Sequence, residues 1–497
     1  MDPRFKIVYP GVYDETERKV LDTLGQFLSD DPEKCTELLK RQAAGEVFYP
    51  GMELNSAFPL GDAITIGTGE LKAAAGSINP YNPLYQDVNY ARNTRWGRVL
   101  MAPMGISVDA GFPYFPKETP AWVWVMDEDV PNVAGGLDHT YTWYKPIGAG
   151  DTLHTVVTRQ AFEDVTDPNG SEFRQYRIIG EGYLVNEQGE KVAHLRHTAV
   201  ERFHIFSDPK YAKDFEGTTP HHSVVRRLRN WDKARPWHEY TQEEWDKVAE
   251  IWKNESIRGA ETLYWEDVNV GDMPAPTADG PYEEPQRKGG PMGTTVTLRD
   301  ALTRTPEEIA ASAPGMGIPG MPAMPVKFHV EAGPHNILKV VNEQAGGPGG
   351  PGGPGGPGGP GGGKGPVFQT DHPNYRGAFQ NTVGRDFCVR VVTNWMGDDG
   401  FLVSFGWRLT SDIDHNKFPD TYDRPSYLYK VPSLEGKYMT THGYEGDVSV
   451  NRAYVCDKYI DESGRHLVDL VVWGETVDGQ IYTECYAVVE LPSRAEK

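Results

Sequence analysis

Two segments of the chain carry apolar residues at the spacing of an amphipathic α-helix. Residues 14–30 place one apolar face on Val20, Leu21, Leu24, Phe27 and Leu28. Residues 241–255 begin with a Thr241/Glu244 capping box and continue with an apolar stripe at positions 245, 248, 249 and 252. These patterns predict two helices, the second within an ordered linker between two halves of the chain.

Two segments show the polar–apolar alternation of β-strands. Each begins with a Gly-Asp pair, and strands and turns follow in the same order in both. Gly150-Asp151 opens the first run and Gly446-Asp447 opens the second, and tight polar turns follow at residues 186–189 and 478–479. The closing strand of the second run alternates from Ile481 to Leu491, which predicts burial on one face only. The repetition predicts two related, curved antiparallel sheets, each wrapping a central helix.

The length of 497 residues exceeds what one hydrophobic core supports and indicates more than one domain. We divide the chain into a first half (1–205), a linker with a helix (206–262) and a second half (263–497). Gly-Gly-Pro units fill residues 346–363 and are too few for a collagen helix, so they predict a flexible insertion. The wider Gly/Pro-rich region 310–366 is interpreted as a loop excursion of the second half.

Charge and cysteine content narrow the classes of partner and the compartment. The 49 Lys and Arg residues against 71 Asp and Glu give a net charge of −22, which argues against nucleic acid or an anionic membrane as a partner. The four cysteines are far apart without CxxC spacing, which predicts reduced, buried thiols. With no signal-peptide pattern and no apolar run of about 20 residues, we expect a cytoplasmic protein.

The short motifs of several enzyme classes are absent from the sequence. It contains no GxGxxG before a helix, no GxxxxGK[ST], no GxSxG and no HExxH. His194 and His197 lie three residues apart on one predicted strand and so face opposite sides, which argues against a shared metal. Asp398-Asp399-Gly400 is interpreted as a turn between a helix and a strand. No metal site is predicted.

A longer signature lies in the first half. Residues 82–97, NPLYQDVNYARNTRWG, followed by Ala102-Pro103, resemble the NPLxxDxxYAxxTRWGxxxAP signature of the MaoC-like acyl-CoA hydratases and dehydratases. Residues 142–151 (TWYKPIGAGD) are similar to the element that follows it in N-terminal hot-dog halves. Residues 265–272 resemble an opening strand of a second half, and residues 393–402 and the closing VELPSR also resemble double hot-dog dehydratases.

The resemblance implies an α+β double hot-dog fold and a hydro-lyase. Such an enzyme adds water to a 2-enoyl-CoA or eliminates it from a 3-hydroxyacyl-CoA, with a CoA thioester as substrate and no metal or redox cofactor. In the family an Asp activates the water, a nearby His manages the proton at Cα, and backbone N–H groups at a helix N-terminus hold the enolate oxygen. The abundance of Tyr and Trp suggests a bulky acyl group.

The first half departs from the DxNPxH pattern that supplies this Asp/His dyad in the family. Pro80 stands at the position of the acid and Tyr85 at that of the His; proline cannot act as a base, and tyrosine is a poor one near neutral pH. Asp371-His372, just after the glycine-rich insertion, are the best substitute. We predict them as the catalytic pair, beside the alternative that they form a solvated loop capping a helix.

Five residues of the signature segment are candidate substrate contacts: Asn82, Tyr85, Asp87, Arg95 and Trp96. Tyr85 is expected either to pack in the acyl tunnel or to contact the substrate, and Asp87 either to cap a helix or to bind. Arg95 and Trp96 could reach a CoA phosphate and the adenine, or stack on each other at the surface.

Other functions stay open at this point. They are a lyase or isomerase of the same fold with a replaced dyad, a non-catalytic acyl-thioester binding protein, and a hot-dog thioesterase. A homodimer is favoured over a monomer, because sheets of this type associate further.

Overall fold

The computed structural model of the protein describes thirteen stretches of the chain: residues 5–7, 31, 33–34, 64–104, 122–124, 137–164, 173–205, 236–282, 297–312, 328–342, 381–409, 426–439 and 443–496. Four features of the sequence analysis lie outside these residues. They are the predicted helix at 14–30, Cys35, the Gly-Gly-Pro run and the proposed pair Asp371 and His372.

The described first half contains seven strands, one 11-residue helix and two short helices. The strands are β1 (Phe5–Ile7), β2 (Ile64–Thr65), β3 (Trp122–Trp124), β4 (Leu137–Trp143), β5 (Thr152–Asp164), β6 (Phe173–Asn186) and β7 (Lys191–Ile205). The helices are α1 (Thr68–Ile78), α2 (Pro83–Gln86) and α3 (Val88–Arg92). β5, β6 and β7 form an antiparallel meander, and β4 pairs with β7.

The described second half repeats the meander and adds one long helix. Its strands are β8 (Thr277–Asp279), β9 (Phe328–Ala332), β10 (Leu338–Asn342), β11 (Phe401–Leu409), β12 (Ser449–Ile460), β13 (His466–Thr476) and β14 (Ile481–Glu490). α4 (Gln242–Asn254) lies in the predicted linker, and the helices of the second half are α5 (Leu298–Thr303), α6 (Pro306–Ser312) and α7 (Asn381–Met396). β12, β13 and β14 form the meander, β11 pairs with β14, and β9 and β10 form a separate hairpin.

The two halves share one sheet. Among the described residues the strand order is β1-β5-β6-β7-β4-β11-β14-β13-β12-β8, with β2 beside β5 and β3 beside β7, and every pairing is antiparallel except β1 with β5. The halves meet where β4 pairs with β11, from Thr142 opposite Ser404 to Leu137 opposite Leu409. The predicted α+β class with antiparallel sheets is therefore confirmed.

One hydrophobic cluster among the described residues runs through both halves. It joins residues of α1, β5 and β7 to α7, β11 and β13, with Leu71, Leu153, Val392, Phe405 and Leu470 all essentially buried. α7 packs against β8, β11 and all three strands of the second meander, and it also contacts α1. Along the part of the chain that the structure describes, no helix combines the length and apolarity needed to cross a bilayer.

The Gly-Asp pairs that open the two meanders adopt the same turn. Asp151 Oδ2 accepts a hydrogen bond from the Gly148 N–H at 2.9 Å, and Asp447 Oδ2 accepts one from the Tyr444 N–H at 2.7 Å. The preceding glycines have φ of 94° and 82°, a left-handed conformation that glycine adopts without strain. The predicted duplication is thus visible in the geometry of the turn as well as in strand order.

Three local predictions can be compared with the structure. The helix at 241–255 is confirmed as α4, with both hydrogen bonds of the Thr241/Glu244 capping box. The prediction of an opening strand at 265–272 is wrong. Trp265–Asp267 form a 3-10 turn, and the strand begins only at Thr277. The prediction that only one face of the closing strand is buried is wrong for the first residues of that strand, because Tyr482 and Glu484 on the other face are also fully buried.

Candidate functional site

The signature segment folds into two short helices whose caps use two of the candidate residues. Buried Asn82 accepts a hydrogen bond from the Leu84 N–H at 3.0 Å and caps α2. Exposed Asp87 accepts from the N–H groups of Asn89 and Tyr90 at 2.8 and 3.1 Å and caps α3. Both side chains satisfy donors at helix starts that would otherwise be unpaired.

A hydrogen-bonded amide fixes this segment to the second half. Buried Asn79 lies just before it and donates from Nδ2 to Thr393 Oγ1 at 3.0 Å and to Asn394 Oδ1 at 2.8 Å. Both acceptors belong to the last turn of α7. The α2–α3 segment is therefore held against the end of the long helix.

A pocket opens between this segment and the helix end. It is an open cleft with about 440 Å³ of empty space, a volume that includes solvent at its mouth. Residues of both halves line it, among them Leu84, Tyr85, Trp96, Trp143, Met396 and Phe401. The lining is predominantly apolar, with Lys145 bringing one positive charge to the wall. A largely apolar cleft with a few polar groups is the common form of a small-molecule site.

Tyr85 presents a polar group to this apolar pocket. The side chain is 2% exposed and lines the pocket, and no described residue forms a hydrogen bond with its hydroxyl. Burial, followed by the nearby charge of Asp398, raises the pKa of Tyr85 above its ordinary value. The phenol is therefore neutral at physiological pH and can donate a hydrogen bond to a bound molecule.

Asp398 lies on the turn that joins α7 to β11, between the pocket residues Met396 and Gly400. Its Oδ2 accepts a hydrogen bond from the Tyr90 hydroxyl at 2.6 Å, and its Oδ1 is buried with no partner among the described residues. Burial raises the pKa of Asp398, and the bond to Tyr90 opposes that shift. The predicted turn at 398–400 is confirmed, but no sequence pattern indicated that the Asp398 side chain would be buried between two pocket-lining residues.

Arg95 and Trp96 stack on each other at the pocket edge. The Arg95 guanidinium lies 4.0 Å from the centre of the Trp96 ring, a cation–π arrangement. The Trp96 Nε1–H donates to the Asp398 carbonyl oxygen at 2.7 Å, so the indole is fixed between pocket and turn. Partial burial lowers the pKa of Arg95 from its ordinary value.

A second buried polar group lies on the strands behind the pocket. His139 on β4 and His197 on β7 stack with ring centres 4.1 Å apart, and Tyr141 links them to the pocket residue Trp143. Burial, with smaller contributions from His197 and Arg385, lowers the pKa of His139 well below its usual value. His194 faces the other side of β7, beside Tyr183, as the strand periodicity predicted.

The structure brings the five signature candidates into one segment at the pocket, and only Tyr85 and Trp96 among them line it. Asp371 and His372 lie outside the described residues. Within the residues that the structure describes, no group of three or more His, Cys, Asp or Glu side chains could hold a metal ion. Of the cysteines, Cys388 and Cys485 are buried as predicted, and Cys456 is only partly buried.

Comparisons with known proteins agree with the signature. Residues 57–195 match the family model described as the FAS1-like dehydratase domain region. The resemblance predicted from the sequence is confirmed. The chain resembles the MaoC-like, hot-dog dehydratases. No curated protein matches it.

Several solved structures align along most of this chain. A MaoC-like dehydratase is 14% identical, with 87% of this chain and 96% of that chain covered and a TM-score of 0.36. A putative MaoC domain dehydratase from Chloroflexus aurantiacus is 10% identical, with 90% and 97% covered and a TM-score of 0.37. A Mycobacterium tuberculosis protein described as having a double hotdog fold is 10% identical, with 89% and 98% covered and a TM-score of 0.34.

Proposed function

We propose that the protein is a hydro-lyase that adds water to a 2-enoyl-CoA or removes it from a 3-hydroxyacyl-CoA. The observation that carries this proposal is the apolar pocket between the halves, whose lining includes buried Tyr85, a residue whose hydroxyl has no hydrogen-bond partner among the described residues. All of the first-half lining residues lie within the range that matches the dehydratase family model.

The pocket chemistry suits an acyl thioester. Its apolar walls would remove an acyl chain from water, at roughly 25 cal/mol for each Å² of apolar surface buried. Lys145 lies in the wall, where its ammonium pairs with Glu190 at 2.5 Å, and Arg95 stacks on pocket residue Trp96, so a CoA phosphate would meet Arg95 directly and would compete with Glu190 for Lys145. The aromatic lining, from Trp96, Trp143 and Phe401, suits a bulky acyl group.

Asp371 and His372 remain our proposed catalytic pair from the sequence. We include in the proposal a sheet wrapping a central helix in each half, a homodimer and a cytoplasmic location.

A non-catalytic acyl-thioester binding protein is the second candidate. The observation that favours it is the loss of the family dyad in the first half, where the positions of the acid and the His hold Pro80 and Tyr85. A pocket can bind a thioester without these groups, but proton transfer needs an acid and a base within hydrogen-bonding reach of the substrate.

The test is to mix the purified full chain with crotonyl-CoA and longer enoyl-CoAs and to follow the absorbance of the conjugated thioester. Loss of that absorbance, abolished by Asp371→Asn or His372→Ala, supports a second-half dyad. Activity that survives both substitutions but falls in Tyr85→Phe, while the control Tyr438→Phe on an exposed side chain leaves it unchanged, places the chemistry at the pocket.

The same assay separates the other functions. Tight binding of CoA thioesters without turnover supports the binding protein, and release of free thiol supports a thioesterase. If the protein neither binds nor converts any enoyl-CoA, the proposed function is refuted.

A further inference from the structure

The pocket wall contains one charged side chain, and a carboxylate already binds it. Among the described lining residues only Lys145, two positions after the end of β4, carries a charge. Its Nζ donates a hydrogen bond to Glu190 Oε2 at 2.5 Å. The two side chains are 48% and 51% exposed, so the pair lies at the mouth of the cleft. A ligand whose acyl end occupies the apolar interior would meet this ion pair with its polar end.

The turn between β6 and β7 fixes Glu190 through bonds that do not involve Lys145. The Glu190 N–H donates to Asn186 Oδ1 at 2.8 Å, and Asn186 Nδ2 donates back to Glu190 Oε2 at 2.8 Å. The Asn186 N–H also donates to the Glu190 carbonyl oxygen at 3.0 Å. The turn therefore presents the carboxylate to Lys145, and these three bonds remain when the ammonium leaves.

Exchanging Glu190 for another anion at Lys145 costs little. Exposed ion pairs contribute little to stability, because water solvates both separated charges well. The hydrogen bonds from Lys145 and then Asn186 keep the pKa of Glu190 below its ordinary value, so the carboxylate is charged at neutral pH and competes for the ammonium. A phosphate monoester carries about 1.5–2 negative charges, more than a carboxylate. A phosphate can therefore replace Glu190 at Lys145, whereas an uncharged group cannot.

We propose that Glu190 is a specificity-determining residue of this pocket, because it occupies the Lys145 ammonium in the unliganded protein and yields it to a phosphate of the thioester carrier. The inference rests on the proposed function and deepens it, since it names the part of the substrate that the mouth recognises. The phosphate belongs either to the phosphopantetheine arm or to the nucleotide of CoA. Glu190 lowers the affinity for every thioester that brings such a phosphate, and it leaves the chemistry to Asp371 and His372.

The chain offers a matched control for this ion pair. Its net charge of −22 repels any anionic ligand, so the loss of one carboxylate anywhere has a small general effect on binding. On α4, Lys247 Nζ pairs with Glu243 Oε1 at 2.8 Å, both side chains are exposed, and neither lines the pocket. Glu243→Gln and Lys247→Met therefore make the same changes of charge away from the cleft.

The experiment measures Kd by titration calorimetry for the full-length chain with butyryl-CoA, butyryl-phosphopantetheine and butyryl-pantetheine. The saturated butyryl group has no double bond to hydrate, so binding is measured without turnover. We expect Glu190→Gln to lower Kd for butyryl-CoA about two- to fivefold, the effect of removing an exposed pair, and Lys145→Met to raise it. Kd for butyryl-pantetheine, which has no phosphate, should stay within about twofold in both variants. Glu243→Gln and Lys247→Met should leave all three values within the same limit.

A double variant shows whether Glu190 acts through Lys145. Lys145→Met/Glu190→Gln should bind butyryl-CoA as weakly as Lys145→Met, because the carboxylate has no ammonium left to occupy. The gain in Glu190→Gln should also shrink when salt is raised from about 0.05 M to about 0.5 M, since salt screens an exposed cation. An equal gain with butyryl-phosphopantetheine assigns the recognised phosphate to that arm, and a gain with butyryl-CoA alone assigns it to the nucleotide.

Two results would overturn this inference alone. In the first, Glu190→Gln binds butyryl-CoA no more tightly than Glu243→Gln does. In the second, the gain from Glu190→Gln persists in the Lys145→Met background, so that it comes from the general charge and not from the ammonium. Either result leaves the proposed function standing if the wild type hydrates crotonyl-CoA. A wild type that binds none of the three thioesters and converts no enoyl-CoA overturns the proposed function and the inference together.

Discussion

Removing Arg408 should weaken the joint between the two halves more than removing any exposed cation. Arg408 on β11 is fully buried; its Nε–H donates to Asp138 Oδ2 on β4 at 3.0 Å and its Nη1–H to Glu484 Oε1 on β14 at 3.1 Å. Arg408→Met keeps most of the side-chain volume but leaves two buried carboxylates without this cation. Breaking a buried ion pair by removing one partner costs about 3–5 kcal/mol, a large part of the stability of a typical domain.

The assay is urea denaturation followed by far-UV circular dichroism and tryptophan fluorescence. Arg452→Met is the matched control, because Arg452 pairs with Glu475 across neighbouring strands at 2.6 Å but is 37% exposed, and such pairs contribute less than about 1 kcal/mol. Arg408→Met/Glu484→Gln should recover part of the loss, since one uncompensated charge is removed. The reasoning would be refuted if Arg408→Met lowered the free energy of unfolding no more than Arg452→Met does. It would also be refuted if the two halves unfolded in separate transitions and Arg408→Met shifted only one of them.

Two further predictions concern pH and the Gly-Asp turns. Burial lowers the pKa of His139 in the folded state, so as pH falls the imidazole is protonated in the unfolded chain before it is protonated in the folded chain. Its contribution to the free energy of unfolding should be constant above about pH 6.5 and fall by up to about 1.4 kcal/mol per pH unit below it; His139→Gln should lack that slope in urea denaturation from roughly pH 5 to 8. In Gly150→Ala, where a Cβ would meet no atom within 4 Å, thermal denaturation should report only backbone strain of about 1–2 kcal/mol. Gly446→Ala should cost at least about 1 kcal/mol more, because its Cβ would lie 2.5 Å from the Trp237 ring; equal losses would contradict this.

Local features of the fold could be predicted because their causes lie within a few residues. The capping box and apolar stripe of α4, the turns at Gly189 and Gly479, and the paired Gly-Asp turns all depend on contacts between close neighbours in the chain. The prediction of an opening strand at 265–272 was wrong for a local reason that the apolar–polar pattern did not indicate. Asp272 Oδ2 accepts from the Asn269 N–H at 2.8 Å, which closes a turn where extended backbone was expected.

Long-range contacts explain what the sequence could not show. Glu484 lies on the polar face that the alternation of β14 predicts to be exposed. It is nevertheless buried, and Arg408 and Ser426 from other elements form hydrogen bonds with its carboxylate. His139 and His197 become neighbours only through the register of β4 on β7. Asp398 meets Tyr90 across 308 positions of the chain, so a carboxyl that reads as an ordinary turn residue becomes a buried acid.

The pocket exists only because the two halves form one body, and this constrains where its chemistry can come from. The first half supplies Tyr85, Trp96 and the strand with Trp143, while the second supplies the end of α7 and the start of β11. Asn79 holds the first to the second through Thr393 and Asn394. Because each half supplies a different part of the lining, neither half alone could form this cleft, and a change in the β4–β11 pairing or in the Asn79 contacts should alter its shape.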